Sequence, residues 1–154
     1  MATFKTPDVA SILQMLAMFM AEQPEVEKID AYASSDASHV AVYQDDDGVD
    51  VAMCYCDWKL AAGLGASLTM IPAAAVEDMV SDKELSQTVR ENLYEVMNIL
   101  SSLFMDDKSG HLKLTEVFAQ GEKEIPSLPD GATTVAFKLT PEPYEAGQIA
   151  FVST

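Results

Sequence analysis

The chain has 154 residues, enough for one domain with a substantial core. Apolar residues make up 49% and charged residues 22%, which excludes a disordered chain. Its 25 acidic and 9 basic residues leave a formal charge of −16, a field that repels nucleic acid and anionic membrane alike.

Val9, Ile12, Leu13, Leu16, Phe19 and Met20 follow helical spacing, which predicts an amphipathic helix over residues 9–21. Thr6 is its expected cap, with Pro7 in the first helical position. Asp8 and Gln14 do not suit a secretory signal, and no stretch is long and apolar enough to span a membrane. Pro24 closes the helix, and residues 26–33 read as a strand. Two runs rich in β-formers follow, 38–44 and 49–56, joined by Asp45-Asp46-Asp47-Gly48. An Asp-Gly pair between such runs signals a hairpin. Cys54 and Cys56 share one face of the second run, too close in sequence to bridge without strain. With no third cysteine they read as reduced thiols of a cytoplasmic protein. A zinc site would need more ligands than these two and His39 and His111, which sit far apart in sequence.

Residues 60–71 alternate Leu60, Ala62, Leu64, Ala66, Leu68 and Met70 with Ala61, Gly63, Gly65, Ser67 and Thr69. Period two predicts a strand whose small-residue face admits a close neighbour. Pro72 then opens a short helix over 73–80. Residues 84–105 form the longest helical pattern, with Ser81 or Asp82 as the expected cap. Leu112, Leu114 and Val117 suggest a short extended segment, and 122–131 is a loop. Residues 133–139 and 148–152 read as an antiparallel hairpin across the turn-forming 141–147. Strands in consecutive runs predict an α+β fold, an antiparallel sheet covered by helices, in a single domain over 1–154.

The long helix carries the functional signal. Val89, Leu93, Val96, Leu100 and Leu103 share its apolar arc. Gln87, Glu91, Glu95, Asn98 and Ser102 lie opposite. Glu91 and Glu95 are like charges one turn apart, and asparagine is a poor choice inside a helix, so propensity explains neither. Glu95-x-x-Asn98 with an acid at position 91 resembles the active helix of the CheC/CheX/FliY chemotaxis phosphatases. That helix reads Asp or Ser, three residues, Glu, two residues, Asn, usually with a proline about two dozen residues later. Glu95 and Asn98 match its two acting positions and Glu91 stands where the family has Asp or Ser. The proline position falls near Gly121, and the nearest proline is Pro126. With one such pair, the chain is closer in layout to single-motif CheX-like members.

The resemblance implies a CheC-like fold and a phosphorylated CheY-like response regulator as partner. Asn98 would orient a water towards the aspartyl phosphate, Glu95 would reach a lysine of the regulator, and Glu91 and Ser102 would lie along the docking surface. No cofactor of its own is implied, because the regulator brings its Mg²⁺. A single arginine, Arg90, also argues against a self-contained phosphate clamp. A non-catalytic binding or scaffolding module is the alternative. The family's pairing, the apolar first helix and the apolar final strand (Ile149, Phe151, Val152) together suggest a homodimer.

Two competing readings are weaker. Residues 105–116 have the glycine and final glutamate of a calcium-binding loop, but Met105 and Lys113 occupy ligand positions, and a thioether is too soft for calcium. The nine methionines read as core filling rather than as an adaptable binding surface.

Overall fold

Six strands pair antiparallel into one sheet in the computed structural model, which describes residues 4–154. In chain order they are β1 (Glu25–Ile29), β2 (His39–Gln44), β3 (Asp50–Cys56), β4 (Lys113–Ala119), β5 (Thr133–Thr140) and β6 (Gly147–Ser153). Across the sheet they run β1-β5-β6-β3-β2-β4, so both halves of the chain contribute to one sheet. This is the expected α+β architecture, and each expected strand outside residues 60–71 is present.

Residues 60–71 depart from expectation. Residues 60–67 belong to a helix, α2 (Trp58–Ser67), which Asp57 caps by accepting from the Leu60 N–H at 3.0 Å, and 68–70 form the turn after it. Leu60 to Ser67 are all buried, so this helix has no polar stripe to betray its period. Its small residues still admit a close neighbour, in a different element. A Cβ on Gly65 would lie 2.6 Å from the carbonyl oxygen of Val89.

The helix boundaries also shift. α1 (Val9–Ala17) is shorter than 9–21 and is capped by Asp8, not Thr6. The Asp8 carboxylate accepts from the Ser11 N–H at 2.8 Å while Ser11 Oγ accepts from the Asp8 N–H at 3.0 Å, a reciprocal pair that Thr6 does not make. Beyond Ala17 the chain tightens, with Phe19 and Met20 both donating to the Leu16 carbonyl. α3 (Ala73–Asp82) runs through Ser81 and Asp82, so neither caps the long helix. Lys83 ends α3 in the left-handed region, and Ser86 caps α4 (Gln87–Leu100) through the Val89 N–H at 3.2 Å. The helix expected over 84–105 is thus preceded by a linker and followed by a 3₁₀ turn, Ser101–Phe104.

The helices pack on one face of the sheet, where Tyr43, Cys54, Phe137, Ile149 and Phe151 meet Leu60, Leu93 and Met97. Val40, Val42, Tyr55, Phe118 and Val152 on the other face are covered by Tyr32, Ile125 and Leu128. Ile149, Phe151 and Val152 are buried, on a strand at the sheet's centre. The final strand therefore offers no surface for a second copy, contrary to the expectation that it does. Ile12 and Leu16 of α1 are likewise buried. Cys54 and Cys56 are free and buried. Of the methionines, Met97 is in the core, whereas Met18 and Met70 are 79% and 73% exposed. No helix among the described residues is long and apolar enough to cross a membrane.

Candidate functional site

α4 divides as its sequence directs. Val89, Leu93, Val96 and Leu100 are buried, along with Met97. Gln87, Glu91, Glu95 and Asn98 are exposed on the opposite face, and so is Ser102 in the 3₁₀ turn that continues it. All four candidate residues, Glu91, Glu95, Asn98 and Ser102, are thus exposed to solvent. Glu91 is held by its neighbour one turn back, the Gln87 side-chain N–H donating to its carboxylate at 3.1 Å. A carboxamide and two carboxylates on a rigid helix can orient a water and attract a cation, and no covalent step is required of them.

Beneath this surface the helix end is fixed in two ways. The buried Tyr43 hydroxyl of β2 donates to the carbonyl of Met97 at 2.6 Å. At the next residue, both the N–H and the hydroxyl of Ser101 donate to the Asn98 carbonyl, the hydroxyl at 2.6 Å. That N–H reaches three residues back rather than four, which tightens the helix into the 3₁₀ turn. The backbone that carries Asn98 is therefore held from the core side while its side chain stays free.

Three residues escaped the sequence reading. Tyr43 looked like any strand aromatic, and its bond to Met97 spans 54 residues of chain. Asn92 reads as an ordinary polar helix residue. Tyr94 is 44% exposed, one turn before Asn98. The signal for it was present, since it lies outside the apolar arc of its helix.

The proline of the CheC/CheX/FliY pattern has no counterpart beside α4. Pro126 lies with Val42, Thr115 and Phe118, on the sheet face turned away from the helices. Gly121 adopts φ +98° in the turn after β4, a conformation closed to proline. Residues 105–116 do not gather as a calcium loop either. The Asp106 carboxylate accepts from the N–H groups of Lys108 and Ser109, both at 2.8 Å, and Glu116 pairs with Lys123. Among the described residues no three His, Cys, Asp or Glu side chains are placed to share a metal.

No protein-family model and no curated protein sequence matches the chain. Solved structures do match it. FliY of Thermotoga maritima superposes with a TM-score of 0.66 at 15% identity, over 97% of this chain and 85% of that one. The middle domain of H. pylori FliM gives 0.58 at 10% identity, over 94% and 84%. The chemotaxis protein CheX of Desulfovibrio desulfuricans gives 0.50 at 13% identity, over 95% of each chain. The fold is thus the one that CheC/CheX/FliY-like and FliM middle domains have in common.

Proposed function

We propose that this chain is a CheX-like phosphatase that removes the aspartyl phosphate of a CheY-like response regulator. One observation carries the reading: Glu95 and Asn98 stand exposed together on one face of a helix whose backbone is fixed from the core. In the proposed reaction α4 lies against the regulator's phosphorylated site. The Asn98 carboxamide holds a water in line with phosphorus. Water oxygen bonds to phosphorus, the bond to the aspartyl oxygen breaks, and inorganic phosphate and the free carboxylate leave. Glu95 engages a lysine of the regulator, and Glu91 and Ser102 extend the contact. The Mg²⁺ belongs to the regulator, so a chain of charge −16 meets its anionic target through the partner's cations. Positioning and charge stabilisation are the main demands of phosphoryl transfer, and a rigid surface meets them.

Dephosphorylation of radiolabelled receiver domains tests this. The native chain accelerates phosphate loss from its cognate regulator, and Asn98→Ala removes that acceleration. Absence of acceleration across a broad set of regulators would overturn the proposal.

The displaced proline and the likeness to FliM favour a second reading, a binding module without catalysis. A FliM of the same fold is known in complex with FliG. Stable association with a regulator or another partner, with no phosphate loss, would identify it. A homodimer belongs to the proposal too, and a constant monomer mass by light scattering across micromolar concentrations would remove it.

A further inference from the structure

We infer that Tyr94 is the apolar anchor by which α4 grips its regulator, setting affinity rather than turnover. This rests on the phosphatase reading and adds a residue to it. Among the described residues four large apolar side chains are exposed: Met18, Val49, Met70 and Tyr94. Of these, Tyr94 alone is on α4. It lies one turn before Asn98, about 40° round the helix axis from it. Glu91 and Glu95 lie on the other side of Asn98. The surface is therefore lopsided, with an aromatic ring on one flank of the carboxamide and two carboxylates on the other.

A partner that fits has a cation opposite the carboxylates and an apolar recess opposite the ring. The carboxylate flank suits the lysine beside the regulator's acyl phosphate. The aromatic flank supplies what charge does not, contact area that salt leaves unscreened. Tyrosine is suited to this, because it buries a large rigid surface with few rotors to freeze and leaves its hydroxyl for a rim hydrogen bond. Helix propensity gives no reason for it at an outward position, where alanine, glutamate or lysine does better. Half-exposed in the free protein, the ring has apolar surface still to cover.

The experiment measures binding apart from catalysis. The full chain is titrated with a receiver domain held in its active form by beryllofluoride and Mg²⁺, a stable mimic of the acyl phosphate. Tyr94→Ala raises Kd by about 10- to 100-fold, while Tyr94→Phe stays within about threefold of the native chain. The Tyr94→Ala loss persists in about 0.5 M NaCl, whereas the loss caused by Glu95→Gln shrinks there. With phosphorylated regulator, Tyr94→Ala raises KM in step with Kd. If the native chain binds and Tyr94→Ala binds within about twofold of it, the anchor is overturned and the phosphatase reading stands. If the native chain binds no receiver domain, both fall.

Discussion

Asn92 on α4 donates its side-chain N–H groups to the Gly65 carbonyl of α2 at 2.9 Å and to the Thr69 hydroxyl at 3.0 Å. The same Gly65 lies against Val89, where an added Cβ would meet the carbonyl oxygen at 2.6 Å and Cγ1 at 2.7 Å. The helix bearing the candidate site is thus seated on α2 by a close backbone approach and a side-chain clasp. Gly65→Ala must push the helices apart, because a backbone oxygen cannot swing away as a side chain can. A loss of about 1–3 kcal/mol is expected from such overpacking. Urea denaturation measures it, and an unchanged midpoint with an unchanged slope would refute the close seating.

Asn98→Ala separates function from stability. Alanine is the better helix former by roughly half a kcal/mol, and the exposed carboxamide surrenders no buried bond. Under the proposed function, activity is therefore lost while the melting temperature holds or rises slightly. On the same proposal Glu95→Gln weakens association with a regulator, and less so at high salt, where attraction to a lysine is already screened. A lower melting temperature for Asn98→Ala with unchanged dephosphorylation would remove Asn98 from the chemistry.

Tyr43→Phe keeps the ring and deletes the donor to Met97. Burial holds the Tyr43 hydroxyl well above its ordinary pKa, so it remains a protonated donor. Stability is expected to fall by about 1–3 kcal/mol, the cost of leaving a buried carbonyl unpaired. Amide exchange should also quicken in residues 101–104. Protection equal to that of the native chain there would show that the tyrosine does not hold this turn.

His39 makes stability depend on pH. Its Nδ1 is 2.8 Å from Ser38 Oγ, and its ring meets Trp58 edge-on with centroids 4.9 Å apart. Burial pulls its pKa down to about 4, partly opposed by the Glu122 carboxylate. The unfolded chain takes up this proton near pH 6.5 and the folded chain only near 4, so acid favours unfolding within that window. About 3 kcal/mol of stability is lost between pH 7 and pH 4 through this residue, and little more below. Denaturation midpoints for the native chain and His39→Gln should converge as pH falls. Parallel curves would contradict the buried neutral imidazole.

The amphipathic parts of this fold are legible in its sequence. Val89, Leu93, Val96 and Leu100 mark the buried side of α4, and the exposed stripe with Glu95 and Asn98 follows by subtraction. Asp-Gly marks the β2–β3 turn, where Gly48 takes φ +77°. α2 is illegible by the same logic. Periodicity reports a contrast between two faces, and a helix buried on all sides has none, so the chance alternation of leucine with glycine and alanine reads as a strand. Asp57 was the local clue, a cap residue one position before Trp58. The supports of the site were hidden for another reason. Tyr43 and Met97, like Asn92 and Gly65, are joined only by the tertiary fold, and no local pattern records which carbonyl a distant hydroxyl or amide will find.

The central place of β6 has a consequence for the chain during synthesis. Phe151 pairs with Cys54 on one side and with Val135 on the other. Until residues 147–153 leave the ribosome, β3 and β5 have no strand between them, and each presents unpaired N–H and C=O groups with apolar neighbours. Such edges recruit other strands. The nascent protein is therefore most exposed to mispairing with other nascent chains in the interval before its sixth strand arrives.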